Sequence, residues 1–133
     1  MNSPANDIKD ILVANTALGL VFATNLFVNR EPARPDNTVT IFDSYGGLYP
    51  LTLDRQTYEY PSVQIRVRNR IQSEALRIIN SIYLSLHGLA HETWNGAVYE
   101  VIYCSGGPAL LDWDDNDRCR FIINFNIQRK SAG

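Results

Sequence analysis

The stretch Ser62–Gly88, SVQIRVRNRIQSEALRIINSIYLSLHG, contains the two strongest structural patterns in the chain. Its first eight residues alternate between apolar and polar, which predicts a half-buried strand over Ser62–Asn69. One face of that strand carries Val63, Ile65 and Val67, and the other carries Gln64, Arg66 and Arg68. Apolar residues then recur at spacings of three and four up to Leu86, which is typical of an amphipathic helix. Gly88 follows where a left-handed residue commonly ends a helix.

Upstream of this stretch, Ser3 and Pro4 form a helix start, and the apolar spacing predicts a first helix over about Pro4–Ala17. Gly19 ends that helix. The β-branched run Leu20–Val28 then indicates a strand, with continuation of the helix as the alternative. A proline-containing loop over Asn29–Asn37 leads to a strand at Thr38–Phe42.

Downstream, Val98–Cys104 and Cys119–Arg129 are predicted to be strands that pair antiparallel across the Gly-, Pro- and Asp-rich segment Ser105–Arg118. The order of helix, strands, helix and strands predicts an α+β fold. We expect one domain over residues 1–133, with an antiparallel or mixed sheet of about four to five strands and two main helices packed on one face.

Composition and charge restrict the range of possible functions. The chain has 133 residues, a formal charge of −2 and a pI near 5.6, which argues against electrostatic binding of nucleic acid by the domain as a whole. Cys104 and Cys119 are expected to be reduced in an intracellular protein. The apolar run Ile11–Val28 is interrupted by polar residues, so neither a membrane span nor a signal peptide is expected.

No convergent catalytic set is visible, and we expect neither an enzyme nor a cofactor. His87 and His91 would share a face only if a helix ran through both, and Gly88 opposes that. The Asp112–Asp117 cluster lacks the glycine and the final glutamate of a calcium loop, so an acidic turn is the simpler interpretation. A small metal-binding or hydrolytic domain that uses His87, His91 and this cluster is the alternative of another class.

Three features favour association with other proteins. The connection Asp43–Pro61 contains four of the seven tyrosines, and tyrosine is frequent at interface hot spots. These are Tyr45, Tyr49, Tyr58 and Tyr60. The strand face with Arg66 and Arg68 is basic, and the turn with Asp112, Asp114, Asp115 and Asp117 is acidic. If the two patches lie on opposite sides of the domain, they could meet between neighbouring copies in a head-to-tail ring. The alternatives are that the rings pack onto their own domain and that the two patches are unrelated.

Taken in order, the segments resemble the tail terminator and minor capsid proteins of long-tailed bacteriophages. The segments that carry the likeness are Leu26-Phe27-Val28, Pro32, Pro35-Asp36-Asn37, Val39–Asp43, Gly46-Gly47, Pro61–Arg68 and Arg120–Phe125. The likeness spans most of the chain, and its specificity lies in the order and spacing of these segments.

The resemblance implies a virion protein at the tail–head junction, assembled in the host cytoplasm. It implies a hexameric ring of identical subunits that caps the tail tube, ends tube polymerisation and joins the tail to the head connector. DNA would pass through the centre without sequence-specific binding. A head-completion or stopper protein of the phage neck is the alternative within the same biology.

Overall fold

The computed structural model describes residues 2–44 and 58–131. Its two α-helices are α1 (Pro4–Ala14) and α2 (Gln72–Leu86), and a 3-10 turn covers Thr16–Leu18. Its six strands are β1 (Leu26–Val28), β2 (Thr38–Ser44), β3 (Ser62–Asn69), β4 (Leu89–Trp94), β5 (Ala97–Trp113) and β6 (Cys119–Ser131).

The strands form one sheet in the order β1-β2-β3-β6-β5-β4, in which β1 and β2 run parallel and every other pair is antiparallel. This confirms the mixed α+β fold. The expected count of four to five strands was too low, because β4 was not predicted: it lacks a clear alternation of apolar and polar side chains.

The core lies between the sheet and the two helices. Strand β3 turns Val63, Ile65 and Val67 inward, and β6 turns Phe121, Ile123, Phe125 and Ile127 to the same side. These side chains pack under Ile8 and Leu12 of α1 and under Ala75, Ile79, Ile82 and Leu86 of α2. Each fully buried aliphatic or aromatic side chain contributes about 1.5 to 3 kcal/mol, so this layer supplies most of the driving force for folding.

The N-terminal elements are shorter than predicted. Ser3 caps α1 by accepting a hydrogen bond from the Asn6 amide at 3.3 Å, as its sequence indicated. The helix ends at Ala14 rather than Ala17, because the next turn tightens into the 3-10 turn. The predicted strand over Leu20–Val28 is reduced to β1, because the Asn25 side chain accepts from Val21 N at 2.7 Å and donates to Gly19 O at 3.1 Å. Those bonds fold the segment into a turn.

Strand β5 is longer than predicted. Gly106-Gly107-Pro108 indicated a turn, but β5 continues to Trp113 through several register shifts against β6. Gly107 has φ +93°, and a Cβ there would lie 2.7 Å from the Ile122 carbonyl oxygen. Glycine is therefore required at this position for the two strands to stay paired.

Candidate assembly surfaces

The face of the sheet opposite the helices, called the open face below, is covered over one end by the loop of residues 30–37. Arg68 extends from β3 under this loop and is only 2% exposed. Its guanidinium lies 3.3 Å from the Glu31 carboxylate and donates to the carbonyl oxygens of Pro32, Pro35 and Asp36 at 2.7 to 3.0 Å. Burial lowers the pKa of Arg68, although the nearby Glu31 carboxylate acts in the opposite direction.

Two further arginines extend the same network. Arg118 donates to Asp114 at 2.8 Å and to the Ala33 carbonyl at 2.7 Å. Arg120 lies 3.5 Å from Asp112, 3.6 Å from Glu31 and 3.7 Å from Asp114. We call Arg68, Arg118 and Arg120 the arginine clamp, because together they hold the loop against the sheet.

The clamp corrects the expectation that Arg68 lies on a basic surface. A period-two pattern identifies the face on which a side chain lies but does not show whether a loop covers that face. Asp112 and Asp114 do not lie on the side of the subunit opposite the basic strand face, because Arg120 pairs with both within one chain. Arg68 and Asp114 stabilise the fold from within.

The acidic segment is a turn that joins β5 to β6, which confirms that interpretation. Asp114 Oδ1 accepts hydrogen bonds from the amides of Asn116 and Arg118 at 2.9 and 3.0 Å. Burial alone would raise the pKa of Asp114, but these amides and the Arg118 guanidinium outweigh it and hold the pKa below its ordinary value. Asp115 and Asp117 are exposed, and neither has an ion-pair partner among residues 2–44 and 58–131.

Arg66 differs from the clamp arginines although it lies on the same open face. Its guanidinium sits 5.0 Å from the centre of the Phe42 ring and makes a long contact of 3.5 Å with Gln64 Oε1. No carboxylate in the described part of the chain lies within ion-pair distance. Arg66 is half-buried, and its Nε atom and the Oγ1 atom of its cross-strand neighbour Thr40 are both buried without a described hydrogen-bond partner.

The tyrosine-bearing connection is only partly described. Tyr45 and Tyr49 lie outside the described residues. Tyr58 and Tyr60 are half-buried at its end, where Glu59 forms a β-bridge with Arg129 of β6. The Lys130 ammonium lies 5.4 Å from the centre of the Tyr58 ring. The described end of the connection therefore packs on its own sheet, which agrees with the alternative noted for these rings.

The two histidines do not share a helix face, because α2 ends at Leu86. His87 follows the helix, stacks on Tyr83 and accepts a hydrogen bond from the Cys104 amide at 2.9 Å. His91 lies in β4, 3.2 Å from Glu100. Across the described ranges, no group of three or more His, Cys, Asp or Glu residues is arranged to hold a metal. Neither described helix has the length and hydropathy to cross a membrane.

The helix-bearing side has an unusual surface that the sequence analysis missed. Residues 11–29 contain no charged side chain, and residues 78–91 contain no Asp, Glu, Lys or Arg. The two segments are adjacent, since Asn15 donates to Ser85 at 3.0 Å and Leu18 and Ile78 line the same shallow pocket. Leu84 is 78% exposed, Val21 is 55% exposed and Phe22 is 49% exposed, with the Lys9 ammonium 4.5 Å from the centre of the Phe22 ring. We call the surface formed by residues 11–29 and 78–91 the neutral helix side.

A further buried arginine, Arg129, lies in the core and was also missed. Arg129 contacts Asp7 Oδ2 at 3.2 Å and Glu59 at 2.7 Å, and it donates to the Tyr99 hydroxyl at 3.2 Å. The Tyr99 hydroxyl in turn donates a short hydrogen bond to Asp7. Asp7 and Tyr99 are both fully buried. The partners are 30 to 122 positions apart along the chain, and no local pattern links them.

A family model described as Bacteriophage tail terminator protein matches residues 7–130. The chain belongs to this family. The match confirms the family recognised from the order of the sequence segments, and it supports a structural role in the phage tail. The fold is also similar to that of a chain in the solved virion of a native gene transfer agent (GTA) particle. The TM-score is 0.69 at 12% identity, over 97% of this chain and 96% of that one. No curated protein matches the sequence.

Proposed function

We propose that this protein is the subunit of a tail terminator ring, hexameric as the family resemblance implies. The ring would cap the finished tail tube, end its polymerisation and join the tail to the head connector at the tail–head junction of the virion. The observation that carries this proposal is the family match over residues 7–130. Assembly of the ring in the host cytoplasm, before it meets the tube, belongs to the same proposal.

The surfaces of the subunit support a role in binding other proteins. Interface cores are depleted of charged residues and enriched in aromatic and aliphatic ones. The neutral helix side has that composition, and its Leu84 side chain is largely exposed in the free subunit. We propose that the tail tube protein or the head connector packs on this side together with the segment that carries Tyr45, Tyr49, Tyr58 and Tyr60.

We propose that the protein is not an enzyme and that it acts through the shape of the ring it forms. A ring that binds the tube end covers the surface on which the next tube subunit would add. DNA would pass through the centre without sequence-specific contacts. With a net charge of −2 the subunit has no overall electrostatic attraction for the DNA backbone.

The test is tube polymerisation in the presence of the purified protein. Tail tube protein is polymerised with and without an equimolar amount of the terminator, and tube lengths and ends are measured by negative-stain electron microscopy. We expect shorter tubes with a six-fold ring at one end. Tubes of unchanged length with bare ends would contradict the proposal. Binding to purified connector but not to tubes would assign the head-completion role instead.

A further inference from the structure

We infer that Arg66 receives the carboxylates of Asp115 and Asp117 from a second copy of this chain, and that this contact joins neighbouring subunits head to tail. The inference deepens the proposed ring and rests on it. The contact joins the open face around Arg66 of one subunit to the turn between β5 and β6 of the next.

The first observation is the unsatisfied state of Arg66. Every other arginine that is buried or half-buried in the described residues has a carboxylate within 4 Å, namely Arg68, Arg118, Arg120 and Arg129. Arg66 has only the Phe42 ring and a long contact with Gln64 among those residues. A guanidinium that is held in place and partly removed from water, with no anion beside it, gains more from an incoming carboxylate than a fully solvated arginine does.

The surroundings of Arg66 fit an acidic partner. Gln64, two residues before Arg66 on β3, pairs with Asn124 of β6, and Gln64 Nε2 donates to Asn124 Oδ1 at 3.3 Å. The Asn124 side-chain amide can therefore donate outward. The Arg66 guanidinium lies over the Phe42 ring, and its planar fork can pair with a carboxylate through two hydrogen bonds.

In the second copy, the Asp115 and Asp117 carboxylates lie on a turn whose backbone is held by hydrogen bonds. The amides of Asn116 and Arg118 bond to Asp114 and fix the turn, so Asp115 and Asp117 project from a defined backbone. Both carboxylates are exposed and lack an ion-pair partner among the described residues. Within one subunit the clamp residues Arg68 and Arg120 lie between this turn and Arg66 along the open face, so the contact needs another copy. If the second copy does not return the contact to the first, the contact is heterologous and generates a ring when its rotation closes, whereas a reciprocated contact would give a closed dimer.

The experiment is a charge exchange between two variants. One carries Arg66→Glu and the other carries Asp115→Arg with Asp117→Arg. Each variant alone opposes like charges at every boundary, and we expect the concentration needed for ring formation to rise at least about tenfold. In a mixture, the glutamate of the first variant meets the arginine turn of the second, and the second variant's unchanged Arg66 meets the aspartate turn of the first. We therefore expect alternating rings. Native mass spectrometry and negative-stain imaging report the outcome.

Control variants distinguish loss of this contact from misfolding and from a failure of the parent protein to form a ring. Arg30→Glu changes the same charge at an exposed arginine and should leave the ring intact. Arg66→Gln removes the charge without reversing it and should weaken the ring less than Arg66→Glu. Circular dichroism melts verify that each variant is folded. Rings from either variant at the parental concentration, or two folded variants that fail to reassemble on mixing, would overturn the inference while leaving the terminator role standing. If the parent protein forms no ring, either alone or on tubes, both the Arg66 contact and the terminator role are contradicted.

Discussion

Two buried arginines, Arg129 and Arg68, hold different parts of this subunit together by different chemistry. Arg129 lies in the core, where carboxylates from Asp7 and Glu59 and the Tyr99 hydroxyl surround it. Arg68 lies on the open face, where one carboxylate and three backbone carbonyls accept its hydrogen bonds. Burial disfavours the charge of both, but the hydrogen bonds to Tyr99 and Glu59 raise the pKa of Arg129, whereas the pKa of Arg68 is lowered.

The two arginine sites differ in the acceptor groups that are left without a partner when the arginine is removed. Without Arg129, the fully buried Asp7 carboxylate loses its counter-ion. Without Arg68, most of the acceptors that lose their donor are neutral carbonyl groups of a surface loop, and these carbonyl groups can turn toward water. A buried unpaired charge costs more than a neutral acceptor that can be resolvated. The core site should therefore be the more sensitive of the two.

Replacing Arg129 with methionine should have the largest effect. We expect a loss of about 3 to 5 kcal/mol in the free energy of unfolding, because Asp7 and Glu59 lose their shared partner. Urea denaturation followed by circular dichroism measures it. Arg77→Met is the matched control, since Arg77 is 64% exposed and its pair with Glu74 should be worth less than about 1 kcal/mol. Equal losses in the two variants would contradict the assignment.

Replacing Arg68 with methionine should cost less, about 2 to 3 kcal/mol, because Glu31 still lies 3.6 Å from Arg120. The release of the loop gives a second readout. Trypsin should cleave after Arg30 faster in this variant than in the parent under conditions where both remain folded. A loss as large as that of Arg129→Met, with no change in cleavage, would show that Arg68 stabilises the core rather than the loop.

Tyr99→Phe tests the core site without removing a charge. The variant loses the hydroxyl that donates to Asp7 and accepts from Arg129, and we expect a loss of about 1 to 2 kcal/mol. Burial and the bond to Asp7 raise the pKa of Tyr99, so in the parent this phenol should stay protonated through the ordinary range of tyrosine titration. A spectrophotometric titration should show one fewer late-titrating tyrosine in the variant. Tyr103→Phe, at an exposed tyrosine, is the control.

Asp114→Asn should give the smallest effect, which should be present at neutral pH and disappear in acid. The pKa of Asp114 is held below its unfolded value, so its contribution is fully present above that value, near 3.9, and is lost as the pH falls through the folded pKa. Asparagine keeps the oxygen that accepts from the turn amides but loses the charge. The variant should therefore show a shallower fall in melting temperature below about pH 5. Asp115→Asn, at an exposed carboxylate, should keep the parental slope.

The parts of the fold that sequence could predict are those with a strong local pattern. The bounds of β3 matched residue for residue, and α2 matched within about one residue, because alternation and helical spacing were unbroken there. The end of β5 was wrong because Gly106-Gly107-Pro108 has the composition of a turn, while only pairing with β6 shows that the strand continues. Among site residues, Arg66 was identified on its face. The burial of Arg68 and the Asp7–Tyr99–Arg129 site depend on contacts between distant segments, which no window of sequence contains.

The neutral helix side has a consequence for the subunit before it is assembled. This surface has few nearby charges, with Lys9 beside Phe22 and Arg77 beside Leu18, so little electrostatic repulsion keeps copies apart, and a net charge of −2 adds little more. The free subunit should therefore be soluble over a limited concentration range, and this range should widen when a partner covers the surface. Co-expression with its binding partner is the practical route to concentrated material.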